Sequence, residues 1–418
     1  MTAVSPRLPL RRIRGIGNPF ARARQALITR MMRREQLPRP PAYLVLCATV
    51  TVLNVVGLVM ILSASSVAAL SDYGSSWYFF NRQLMWALIG LAMFIVASRI
   101  DYRLWRKAAP YLLVFAFATL TFVLVGGKLV SGSRRWLVYG PLQLQPSEIA
   151  KLALLVCGAE ILAKRADRLD DPRAWRPVVV IFLVFAALVM KEPDLASTIV
   201  LGVIVASLLI VGGVRAKHLA QMIGIAAVGT GILSLLAGYR RARMFSFLHP
   251  GHDVGNTGYQ LYRSLIAIGS GGLNGVGLGA GRAKWFFLPN AHTDFIFAII
   301  GEELGFIGCL LVLGLFVGLG LVGLRIARRA PDRFGMLIAT GVTAWIVGQA
   351  AINLGAVIGV LPVSGVPLPF LSVGGTSLVI TMFGVGVVAN IARQTVPVSS
   401  SARTRPRTPN RPVRSRAS

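Results

Sequence analysis

About ten apolar stretches, each long enough to cross a bilayer, occupy most of this chain, and that pattern limits what it can fold into. A hydrocarbon core ~30 Å thick takes ~20 apolar residues in a helix. Inside it every backbone N–H and C=O must be paired within the protein, which the helix does by itself. The expected spans are residues 43–66, 78–98, 108–126, 147–163, 177–190, 195–213, 218–238, 294–325, 336–360 and 377–392. The expected fold class is therefore all-α, a polytopic integral membrane protein of about ten transmembrane helices. Composition agrees, because 418 residues that are 55% hydrophobic and 14% charged leave a soluble globule short of polar surface.

A net charge of +29, from 44 basic and 15 acidic residues, would point to nucleic acid in a soluble chain. Its distribution points elsewhere. Ten arginines precede Pro40 and seven lie from Arg393 onward, so 17 sit in the two tails. There they orient the chain and attract anionic lipid. The connectors Arg99 to Lys107, Lys164 to Arg176, Arg215 to Lys217 and Arg325 to Arg333 are basic too, and ten spans put all of them on one face with both tails. Both termini are thus expected to be cytoplasmic. The reading divides the chain into a basic arm (1–42), a membrane domain (43–393) and a tail (394–418), whose last twenty residues lack aromatics and read as disordered. Cys47, Cys157 and Cys309 fall in apolar runs without metal-like spacing and read as core residues. The first apolar run is too long for the apolar segment of a signal peptide and reads as a retained span. No internal repeat and no matched pair of interrupted helices is visible.

Segments expected on the opposite face carry the chemistry. Residues 126–147 contain Lys128, Arg134 and Arg135, and Lys191–Asp194 is a sharp break. Residues 239–293 form the largest loop, with Arg240, Arg241, Arg243, Arg263, Arg282, Lys284 and a glycine-dense stretch over 269–281. A fourth, apolar but broken by prolines and glycines over 360–377, is expected to dip into the membrane against other helices. Arg134-Arg135 and Arg240-Arg241 with Arg243 stand at membrane junctions, where guanidinium forks suit phosphate oxygens. Asp294 is expected to open a long apolar helix. It reads either as a partner of the helix dipole or as an ionised general base or cation ligand. Glu302 and Glu303 follow ~12–13 Å along the axis at 1.5 Å per residue, where a bare charge is expensive, so a polar cavity or a cation should face them. Glu148 and Lys151, with Ser147 as the expected N-cap, share a helix face as a structural pair or as cavity lining.

Several blocks together form a signature: Gly57-Leu58-Val59-Met60, Arg135-Trp136-Leu137, Gln145-Pro146-Ser147-Glu148 with Lys151, Pro193-Asp194-Leu195, Gly258-Tyr259-Gln260, the run Ala291-His292-Thr293-Asp294-Phe295-Ile296-Phe297 into Gly301-Glu302-Glu303-Leu304-Gly305, and Pro367-Leu368-Pro369-Phe370-Leu371-Ser372. Over about residues 43–393 this resembles the SEDS family (FtsW/RodA), its division branch more than its elongation branch. The chain departs from the family pattern at Asn290, usually Glu, at Glu192, usually Gln, and at Gly132-Ser133-Arg134, where the family has a Gly-Ala pair.

The resemblance implies a peptidoglycan glycosyltransferase that polymerises lipid II on the outer face of the cytoplasmic (inner) membrane at the septum. It also implies a class B penicillin-binding protein (an FtsI-like transpeptidase) and other division proteins as partners. Asp294 matches the family's essential aspartate and is the expected catalytic base toward a sugar 4-hydroxyl. Arg135, Trp136, Glu148, Lys151, Arg243, Gln260, His292, Glu302 and Ser372 are the expected substrate-binding or cavity-lining residues. No tightly bound cofactor is expected. A divalent cation, Mg²⁺ or Mn²⁺, is left open, with Asp294 as its candidate ligand. A lipid II flippase and a non-enzymatic division scaffold are the rival readings.

Overall fold

The computed structural model describes residues 40–130, 133–140, 142–222, 224, 229, 258–363 and 365–395. The described helices are α1 (Pro41–Tyr73), α2 (Tyr78–Arg99), α3 (Leu104–Gly126), α4 (Pro146–Lys164), α5 (Pro172–Lys191), α6 (Leu195–Gly212), α7 (Tyr259–Gly271), α8 (Ile296–Arg328), α9 (Arg333–Val357) and α10 (Gly375–Arg393). A small antiparallel sheet, β1 (Lys128–Val130), β2 (Ser133–Tyr139) and β3 (Leu142–Leu144), in that order, joins α3 to α4. Sequence periodicity had given no hint of these three strands. Most of the expected span 218–238 lies outside the described residues, as do Arg240, Arg241, Arg243 and the bulk of both tails.

Eight of these helices have the length and apolarity to cross a membrane. Helix α4 has the length but carries Glu148, Lys151, Glu160 and Lys164. It affords those charges because it sits inside the bundle, buried almost throughout and packed on α3, α5, α6 and α9. Helix starts follow local chemistry. Asp171, Asp194 and Asp332 each accept a backbone N–H at the N-terminus of α5, α6 and α9. Prolines open α1, α4 and α5, where the missing N–H costs nothing. The expected cap at Ser147 is corrected: Gln145 is the N-cap and Pro146 the first helical residue, so Ser147 lies within α4.

The connectors sort to two ends of the bundle. At one, Tyr102 and Arg103 meet Asp332 at 3.0 and 3.1 Å, Asn390 Oδ1 accepts the Tyr102 N–H, and Arg215 pairs with Asp170. At the other lie the sheet, the α5–α6 break at Glu192–Asp194, the turn before α8 and the loop before α10. That last loop enters the bundle as expected. Val366, Leu368, Phe370 and Leu371 are buried, and Phe370 O lies so close to Gly57 in α1 that it leaves no room for a Cβ there.

The expected continuous helix over 294–325 is interrupted. Gly305 has φ 68°, ψ −164°, a conformation only glycine adopts readily, and it splits α8 in two. The glycine-dense stretch after α7, expected as an outer loop, repairs the break. Val276 and Gly277 donate to Glu302 O and Glu303 O at 3.0 and 3.1 Å. Phe306 and Ile307 in turn donate to Gly272 O and Leu273 O at 2.9 and 3.2 Å. Irregular backbone at membrane depth is tolerable only when its polar groups are met by protein in this way.

Candidate functional site

Asp294 lies in the turn that leads into α8, two residues before Ile296 and one before the N-cap Phe295. This corrects the expectation that it begins the helix, so no first-turn dipole argument applies to it. Half-buried, it lines a cavity of about 220 Å³. Arg135 and Trp136 of β2, Glu148 and Lys151 of α4, Asp194 at the cap of α6 and Gln349 of α9 line the same cavity. Five of the ten residues expected at the site are thus brought together.

Each is held for a local reason. The Arg135 guanidinium donates through Nε to Glu192 O (2.9 Å) and through Nη2 to Pro193 O (2.7 Å), the carbonyls that end α5. Two of its N–H groups are therefore already committed, and they fix the plane of the fork. Lys151 Nζ bonds Glu148 Oε1 at 2.7 Å and Gln349 Oε1 at 3.3 Å, and stands 5.3 Å from the centre of the Trp345 ring. Glu148 Oε2 is buried without a hydrogen-bond partner among the described residues. Asp194 is satisfied by Ser197 N (2.9 Å), Ser197 Oγ (2.7 Å) and Gln145 Nε2 (3.3 Å). Glu192 beside it is different. Neither of its oxygens has a partner among the described residues, and burial first, then the Asp194 charge, push its carboxyl up to about 8 against the pull of Arg135.

The other expected site residues stand elsewhere. Ser372 Oγ donates to Thr293 O at 2.6 Å and accepts from Leu368 N at 2.8 Å, so it supports the Asp294 turn from behind. His292 packs its ring 4.6 Å from that of Phe79, and burial holds it below the usual histidine range. Gln260 lies on α7, away from the described lining. Glu302 is corrected most clearly. Its carboxylate accepts the Arg282 and Ala283 N–H groups, at 2.8 and 3.1 Å, and is not among the residues lining the Asp294 cavity. Its neighbour Glu303 does meet a cation, the Lys284 ammonium at 2.9 Å, and accepts from Ser63 at 2.7 and 2.6 Å. Arg243 lies outside the described residues.

Sequence reasoning missed Asp194 as a lining residue and, in α9, Gln349 and Asn353. The signal was present: two amides four residues apart in an apolar run fall on one helix face, where polar groups need partners. Among the described residues no three His, Cys, Asp or Glu side chains gather as a metal-binding set.

The chain matches the model of the FtsW/RodA/SpoVE cell cycle proteins over residues 43–396. It is 41% identical over 361 residues to the probable peptidoglycan glycosyltransferase FtsW of Mycobacterium tuberculosis, covering 85% of this chain and 69% of that relative. With stage V sporulation protein E of Bacillus subtilis it shares 40% identity over 358 residues, 84% of this chain and 97% of the other. Among solved structures it superposes on a chain from a peptidoglycan synthase complex described as coordinating polymerization and crosslinking. The TM-score is 0.71 at 29% identity, over 83% of this chain and 96% of that one.

Proposed function

The chain belongs to the FtsW/RodA/SpoVE family and is a peptidoglycan glycosyltransferase, and on that premise we propose that it joins lipid II units at the Asp294 cavity. One observation carries the reading: the Asp294 carboxylate from the turn before α8, Arg135 from β2 and the buried Lys151–Glu148 pair of α4 line one cavity at one end of the bundle. The basic connectors gather at the opposite end, which makes the cavity end the outer face by the positive-inside tendency.

Asp294 takes the proton from the 4-hydroxyl of the acceptor sugar as that oxygen attacks the anomeric carbon of the donor. The new C–O bond forms as the bond from that carbon to the diphosphate oxygen breaks. Undecaprenyl diphosphate leaves with the electron pair, and the proton passes from Asp294 to solvent. Arg135, and Arg243 from the large loop, stabilise charge growing on the leaving group. Trp136 offers an aromatic face to a sugar. A class B penicillin-binding protein, an FtsI-like transpeptidase, is the partner proposed to crosslink the strands at the division septum.

The test is polymerisation of fluorescent lipid II by the purified chain in vesicles with its transpeptidase partner, scored both for glycan strands and for lipid crossing. Asp294→Asn should abolish strands while folding and partner binding persist. Strands made by that variant, or lipid crossing without polymer from the parent, would overturn the assignment.

A further inference from the structure

Two amides on one face of α9 tie the Asp294 turn to the buried lysine across the cavity. Gln349 and Asn353 stand one helical turn apart, 1% and 2% exposed. Asn353 Nδ2 donates to Asp294 O at 2.8 Å and to Val366 O at 2.7 Å. Gln349 Nε2 donates to Pro367 O at 2.9 Å, while its Oε1 accepts from Lys151 Nζ at 3.3 Å and Trp345 Nε1 at 3.0 Å. The two rungs therefore end on adjacent carbonyls of the same buried loop. That loop closes the clamp from its far side: Ser372 Oγ donates to Thr293 O and Val373 N to His292 O, at 2.6 and 3.1 Å. Three successive carbonyls, those of His292, Thr293 and Asp294, are each held by a donor outside their own turn. Asn353 Oδ1 has no partner among the described residues, and the side chain holds two carbonyls through its Nδ2.

From this geometry we infer that Gln349 and Asn353 are positioning residues for glycosyl transfer. They set the place of the Asp294 carboxylate relative to the Lys151 ammonium and the floor of the cavity. The inference rests on the function proposed above. Asp294 precedes the helix and has no helical frame of its own, so the donors on its carbonyl and on the two before it help to fix where it stands. A base displaced by ~1 Å from its productive position loses ~100-fold in rate.

The full chain, reconstituted with its transpeptidase partner, would be assayed for lipid II polymerisation across pH, with hydrogen exchange followed over residues 290–296. Asn353→Ala should lower kcat about 10- to 100-fold with KM within about twofold, move the pH dependence of kcat and speed exchange in that segment. Gln349→Glu keeps the acceptor for Lys151 and Trp345 but loses the donor to Pro367 O, and should show a weaker form of the same changes while remaining folded. Asp294→Asn is the reference. If it is inactive while both α9 variants keep the parent kcat, the positioning inference fails alone. A kcat that falls only with the folded fraction, at an unmoved pH profile, also overturns the inference. An active Asp294→Asn would instead overturn the proposed function.

Discussion

The bundle buries two lysine–carboxylate pairs, Glu303–Lys284 and Glu148–Lys151, with ion-pair distances of 2.9 and 2.7 Å and side chains at most 4% exposed. They differ in what is left over. An ammonium has three N–H groups. Lys284 places them on Glu303, Ser63 Oγ and Gly279 O, and Ser63 reaches both Glu303 oxygens. Lys151 has two oxygen partners and an aromatic ring, and one oxygen of Glu148 has no partner among the described residues. The first pair is saturated and joins α1, the glycine-dense loop and α8. The second keeps bonding capacity and borders the cavity. Burial of charge alone does not mark a working site; unused hydrogen-bonding valence beside a cavity does.

The contrast can be broken by mutation. Lys284→Met strands the Glu303 carboxylate in a dry interior, where removing one partner of a buried pair costs ~3–5 kcal/mol. The variant should show the largest fall in apparent melting temperature in detergent, with activity lost only as folded protein is lost. Adding Glu303→Gln should restore most of the stability. The matching double variant Glu148→Gln/Lys151→Met should do the reverse, remaining folded while polymerisation falls ~10- to 100-fold, equivalent to ~1.4–2.7 kcal/mol of barrier. If the two double variants behave alike, the distinction between the pairs fails.

Glu192 sharpens the comparison with a third kind of buried carboxylate, one with no hydrogen bond to either oxygen among the described residues. Its carboxyl is raised from 4.5 to about 8 by burial. Between those values the native chain holds a proton that the unfolded chain releases, so the native state loses stability as pH climbs from about 4.5 to about 8. Glu192→Gln removes that loss. Its melting temperature should equal the parent's near pH 4.5 and exceed it at pH 8–9; equal values across the range would mean the carboxyl is not held protonated. The smallest effect belongs to the half-exposed pair at the opposite end. Asp332→Asn, which loses the Arg103 ion pair but keeps an N-cap side chain, should cost ~0.2–1 kcal/mol, less at high salt.

Much of this was legible in the chain, and what was not has physical reasons. The apolar runs gave nine of the ten expected spans a described helix, and α4 could be found although its charges keep it below the usual apolarity of a span. Asp294, Arg135, Trp136, Glu148 and Lys151 converge because the turn before α8, strand β2 and the start of α4 meet at one end of the bundle. The break at Gly305 was not legible, since a single glycine in a glycine-rich apolar run reads as a packing residue. A cation does face Glu303, but neither Lys284 nor the backbone N–H groups of the 282–283 segment that hold Glu302 could be assigned from sequence, since they lie on a loop whose path no periodicity predicts. Gln349 and Asn353 could have been singled out as a polar pair in a membrane run, but what they hold depends on the fold.

The exchange of bonds at Gly305 has a consequence for how the chain is made. The first half of α8 cannot enter lipid as a finished unit, because the carbonyls of Glu302 and Glu303 and the amides of Phe306 and Ile307 find their mates only on the stretch that follows α7. Synthesis delivers that stretch first. The two segments therefore complete each other's backbone pairing, so burial of α8 in lipid and docking of the stretch after α7 are coupled.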